Sequence, residues 1–139
     1  MATVTRFEEL EAWQTAREIT KRIYALSKQS LFSRDFGLRD QMRRAAVSIL
    51  SNIAEGFESR TQLMFIEYLG RAKASAGELR AQMYVALDSG YVEQSSFQEI
   101  KLLIEKCSRQ ISRLMSYLES LPDNRRLRDE MTEYKVELE

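Results

Sequence analysis

Apolar residues recur at helical spacing along most of the chain. The sharpest run is Phe97, Ile100, Ile104, Cys107, Ile111, Leu114, Leu118 and Leu121, whose steps of three and four form an unbroken seam. A seam of two apolar positions per heptad packs along its whole length, as in a bundle. Ser95 or Ser96 fits the N-cap of this helix, with Glu99 at capping-box spacing from Ser96. Pro122 stops it, because proline lacks the N–H and turns Leu121 away from helix. Upstream, 62–88 reads as a long helix ended by Ser89-Gly90, where Gly90 can take the left-handed C-cap conformation. Residues 38–57 place Leu38, Met42, Ala45, Ile49 and Ile53 on one face. Residues 7–28 turn Leu10, Trp13, Ala16, Ile19, Ile23 and Leu26 inward. The segment 30–37 is read as a connection whose aromatics plug one end. Period-two alternation and Asn-Gly or Asp-Gly turns are absent. The pattern therefore predicts an all-α, antiparallel up-down four-helix bundle over 1–122. In the charged tail, 123–139, Tyr134, Val136 and Leu138 are too sparse for a strong apolar face, so a frayed helix or disorder is expected.

The third helix carries more than a core face. Its first stripe is Phe65, Leu69, Ala72, Ala76, Leu79, Met83 and Ala86; a second is Leu63, Gly70, Ala74, Gly77, Ala81 and Tyr84. At about 100° per residue the two centres lie roughly 130° apart. A glycine inside a helix costs about 1 kcal/mol relative to alanine, and close helix packing would offset that. The stripe is either a tight corner against another helix of the same chain or a subunit interface. Ala46, Leu50, Ile53 and Phe57, which widen the apolar arc of the second helix, favour the interface.

Composition narrows the chemistry. The 139 residues hold 21 Lys+Arg, 21 Asp+Glu, no histidine and one cysteine. Zero net charge removes the general electrostatic argument for nucleic acid or a membrane surface. It still permits a local patch: residues 1–60 hold ten basic and eight acidic side chains, and 122–139 hold four and six. Without histidine the commonest general base and the Glu-x-x-His di-iron site are missing. Glu55, Glu67 and Glu78 read as solvent-facing or helix-end carboxylates rather than a metal site. No Gly-rich phosphate loop, Ser-x-x-Lys pocket or Cys/His metal spacing is present. Cys107, on the seam of the last helix, reads as a buried inert thiol. No enzyme activity, cofactor or small-molecule substrate is expected. The charged first twenty residues do not form a signal peptide and no apolar run spans a membrane, so a cytoplasmic protein is expected.

Two polar groups remain. Asn52 and Glu55, within Ser51-Asn52-Ile53-Ala54-Glu55-Gly56-Phe57, read as a structural pair near a helix end, Gly56 permitting the exit. Arg39, Arg43 and Arg44, extended by Lys73 on the next helix, are candidate phosphate contacts for RNA or DNA.

These motifs resemble a known family. Phe7-Glu8-Glu9-Leu10-Glu11-Ala12-Trp13-Gln14 resembles the opening of the four-helix-bundle proteins encoded by intervening sequences in 23S ribosomal RNA genes. The run from Gly37-Leu38-Arg39-Asp40 to Ser48-Ile49, then Asn52-Ile53-Ala54-Glu55-Gly56, resembles their central signature. Phe65-Ile66-Glu67-Tyr68-Leu69 and Ala74-Ser75-Ala76-Gly77-Glu78-Leu79 resemble their third helix. The resemblance implies a homopentamer without known enzyme activity. It also implies kinship with accessory variability proteins of diversity-generating retroelements, basic pentamers that associate with a reverse transcriptase and nucleic acid; the neutral balance here departs from those. The expected function is a non-enzymatic oligomeric scaffold or adaptor. The alternative is a nucleic-acid accessory protein acting through a basic patch repeated around the ring.

Overall fold

The computed structural model describes residues 4–122. A 3-10 turn, Phe7–Glu9, precedes α1 (Glu11–Leu26), α2 (Ser30–Arg34), α3 (Phe36–Glu58), α4 (Gln62–Asp88) and α5 (Gln94–Glu119). Among the described residues there is no strand. The expectation of a frayed or disordered tail at 123–139 lies outside them.

The four long helices form a ring, α3 against α4, α4 against α5, and α1 against both α3 and α5. Cross-helix contacts run in opposite chain directions at every side of the ring. Thr20 Oγ1 reaches the Ala46 carbonyl while Arg43 Nε reaches Ser27 Oγ. Lys73 meets Ser108, and Arg80 meets Glu105. Cys107 lies by Ala12, and Arg22 pairs with Glu99. The bundle is therefore antiparallel throughout. Its interior is the helical seams read from the sequence: Ile19, Ile23, Met42, Ile49, Ile53, Leu69, Leu79, Met83, Ile104 and Ile111 are fully buried. Close-packed aliphatic burial of this kind is the main stabilising term.

The ends show where patterning is a weaker guide. Thr61 caps α4, its Oγ1 accepting from the Met64 N–H at 3.2 Å. At the other end Gly90 has φ +78°, and the Tyr91 and Gly90 N–H groups donate to the Ala86 and Leu87 carbonyls, the Schellman arrangement. The chain leaves this turn with Val92 buried, so α5 starts at Gln94 with Glu93 as its N-cap. The predicted caps Ser95 and Ser96 instead lie inside the first turn, and no side chain caps this helix. The last turn of α5 is closed by a distant residue: buried Gln62 donates from Nε2 to the Leu118 and Leu121 carbonyls.

The expected connection 30–37 contains a helix, α2. Its aromatics divide: Phe32 is buried and stacks on Tyr91 at 5.1 Å, whereas Phe36 is exposed under the Arg39 guanidinium, 4.7 Å from the ring centroid. Leu38 and Trp13, both expected inward, are only half-buried. Trp13 sits at the rim, edge-on to Phe7 at 5.2 Å and beneath Arg17.

Asp35 ties this end together. One carboxylate oxygen caps α3 by accepting from the Leu38 N–H at 3.1 Å; the other accepts from the Tyr91 hydroxyl at 3.0 Å. The hydrogen bond to Asp35, followed by desolvation and the repulsion of a second anion there, raises the Tyr91 pKa above its ordinary 10.0. Replacing Asp35 by alanine should cost about 1–2 kcal/mol, as cap removal does, and show as a lower urea midpoint. The Tyr91 phenol should then titrate closer to 10.0, followed by ultraviolet absorbance. An unchanged phenol titration would remove Asp35 from this role.

Candidate interaction surfaces

The small-residue stripe of α4 faces outward. Gly77, Ala74 and Ala81 are exposed and Gly70 is half-buried. A methyl group added at Gly77 would meet nothing within 4 Å, and at Gly70 only the Met115 Cε at 3.9 Å. Neither glycine is therefore crowded by another helix of the chain. Leu63, 66% exposed, continues the line toward the start of α4. Tyr84 turns aside; its ring packs edge-on against Phe97 at 5.0 Å, in the seam between α4 and α5. The wide apolar arc of α3 is used up within the chain. Ala46, Ile53 and Phe57 are buried and Leu50 packs against the core. It gives the interface no support, because α3 contacts both α1 and α4 and needs two apolar sides.

Gly56 is the glycine that close packing requires. A Cβ there would sit 2.7 Å from Phe65 Cδ1 and 2.8 Å from Tyr68 Cβ. It does not open a helix exit, as expected from the sequence, since α3 runs on to Glu58. Spacing from Gly56 alone could not reveal this, because its neighbours come from α4.

Asn52 and Glu55 do not form a pair. Asn52 Nδ2 donates to the Ser48 carbonyl at 2.8 Å and to Ser48 Oγ at 3.0 Å; Ser48 Oγ lies 2.8 Å from Ser75 Oγ on α4. This chain of hydrogen bonds bridges α3 and α4 with neutral groups. Glu55 is exposed. The two positions are three apart, yet Asn52 is drawn to the serines by the α3–α4 contact.

Most of the candidate basic residues are held by neighbours. Arg39 is occupied by Asp40 at 2.9 Å, the Ser33 carbonyl at 3.0 Å and the Phe36 ring. Arg43 donates to Ser27 at 2.8 Å and covers the Tyr24 ring. Arg44 is exposed. Lys73 joins none of them: it bonds Ser108 at 3.0 Å across the α4–α5 seam. There it lines a groove of about 520 Å³ with Arg80, Glu105, Ser108, Arg109, Ser112 and Arg113. Sequence reasoning missed this cluster. Its signal was present as cations at 73 and 80 on one helix and 109 and 113 on another, but the pairing of the faces needs the fold.

Cys107 is buried, and burial pushes its thiol from an ordinary 9.0 up to about 12. It remains a protonated, unreactive thiol near neutrality. Among the described residues no three His, Cys, Asp or Glu side chains cluster as a metal site, and no helix is long and apolar enough to cross a membrane. Glu55, Glu67 and Glu78 are all exposed.

The molecule is thus a small antiparallel helical bundle whose distinctive surfaces are an apolar stripe and a cationic groove. The family model for 23S rRNA-intervening sequence proteins matches residues 8–113, and the chain belongs to this family. The chain is also similar in fold to a protein of unknown function from the S23 ribosomal protein family of Bacteroides thetaiotaomicron. The TM-score is 0.70 at 18% identity, covering 76% of this chain and 95% of that one. No curated protein matches it.

Proposed function

We propose that this chain is a non-enzymatic scaffold or adaptor that works as a homo-oligomer. The exposed stripe of Gly70, Ala74, Gly77 and Ala81 on α4 carries the proposal. Its two glycines each cost the helix about 1 kcal/mol, and nothing inside the chain uses the space they leave. A second copy of the chain is the occupant that fits, because small residues let two backbones approach closely. A pentamer is the number that the resemblance implies, and the relation to retroelement accessory proteins rests on that resemblance alone. The alternative is nucleic-acid binding through Arg39, Arg43, Arg44 and Lys73; Arg39 and Arg43 are engaged by Asp40, Ser33 and Ser27, and Lys73 turns to Ser108 on α5.

Light scattering behind a sizing column should give an oligomer at tens of micromolar, and Gly77→Leu should give a monomer with unchanged helical circular dichroism. A wild-type monomer at that concentration would sink the proposal. So would a Gly77→Leu variant with the mass of the wild type.

A further inference from the structure

We infer that the α4–α5 groove binds the phosphate backbone of single-stranded nucleic acid. This goes beyond the scaffold reading and stands on a single chain.

The groove gathers four cations from two helices, Lys73 and Arg80 from α4 and Arg109 and Arg113 from α5. Its single anion, Glu105, is spent on Arg80 at 3.4 Å. Three positive charges are left over. Arg109 and Arg113 are exposed and have no ion pair among the described residues. Ser108 and Ser112 add hydroxyl donors along the same wall.

The shape selects an extended ligand over a single anion. Lys73 and Arg80 are seven residues apart on α4, about 10 Å along a helix axis. Cations spread over that length match a run of phosphates, whereas one free phosphate would use one or two of them. At the far end the seam presents the Tyr84 ring, 44% exposed, with Lys101 5.9 Å from its centroid. Its edge contact with Phe97 holds the ring in place. A charged track with an aromatic face beside it is the arrangement that grips single strands without reading sequence. Guanidinium groups suit phosphate oxygens because they donate two parallel hydrogen bonds.

The test is fluorescence anisotropy of a labelled oligouridine RNA titrated with the full chain. Binding is expected in about 50 mM salt, falling steeply as salt rises. Arg109→Gln with Arg113→Gln should weaken it about tenfold or more and lower the salt slope by about one for each cation removed. Both side chains are exposed, so helical circular dichroism should not change. The matched control, Lys21→Gln with Lys28→Gln, removes the same charge from elsewhere and should bind as wild type. Equal weakening by the control would overturn the assignment by showing a net-charge effect. Absence of binding in low salt would overturn it as well. Calorimetric titration with tripolyphosphate separates the sources: saturable tripolyphosphate binding without RNA binding would assign the groove to a free polyphosphate instead.

Discussion

Replacing Gly56 by alanine should lower the unfolding free energy by about 1–3 kcal/mol, the cost of forcing an extra methyl into a packed core. The sign is the informative part. In an open helix the same change stabilises by about 1 kcal/mol, because alanine is the better helix former. Here the new carbon would lie 2.8 Å from the Tyr68 Cβ, which is fixed to the α4 backbone and cannot rotate away. It would also lie 2.7 Å from the ring of Phe65, which is fully buried and edge-on to Phe57 at 6.2 Å. Neither neighbour is the free end of a flexible chain, so α3 and α4 must separate. Urea denaturation followed by circular dichroism measures the effect. A midpoint equal to or above the wild type would show that the helices do not approach closely at this point.

The second large effect is alkaline. The Cys107 thiol has a folded pKa of about 12 against an ordinary 9.0, because burial penalises the thiolate. A group whose folded pKa is raised contributes its full stability below the unfolded pKa and loses it as pH rises toward the folded one. Between those two values the unfolded chain releases a proton that the folded chain keeps. Stability should therefore fall by about 1.4 kcal/mol for each pH unit in that window. The Tyr91 phenol, raised by its bond to Asp35, acts in the same direction above its ordinary 10.0. The comparison with Cys107→Ala isolates the thiol. The variant starts lower, from the lost packing, but its stability should decline less steeply with pH. Parallel curves for the two proteins would mean that the thiol ionises inside the fold.

The helices and the core were legible because burial in a bundle is local in sequence. Every third or fourth residue of α4 and α5 meets the interior whatever the neighbouring helix is, and the bounds of α4 were read to the residue. What could not be read depends on pairing between helices. Gly56 reads as a helix exit and Gly77 as a packing site, yet inside the chain it is Gly56 that is closely packed, because the residues that crowd it come from α4. Asn52 looked paired with Glu55 until Ser75 approached from α4. Lys73 looked like an extension of the arginines of α3, but its position on α4 faces α5. Cap residues failed for a related reason. Where α5 begins is set by the Gly90 turn and the burial of Val92, so the serines with suitable spacing fall two and three residues past the N-cap.

The ring order of the helices also bears on how the chain reaches its native state. Two of the four sides of the ring, α3–α4 and α4–α5, join successive helices across connections of a few residues, and a third, α1–α3, spans the short segment 27–35 that holds α2. Closing a short loop costs little entropy, and topologies rich in such contacts cross their folding barrier quickly. Only the side between α1 and α5 brings distant parts of the chain together, through contacts such as Arg22 with Glu99 and Ala12 with Cys107. That side carries the largest entropic charge and the least local encouragement. It is therefore the seam that forms last and opens first, and amide protons along it should exchange before those between α3 and α4.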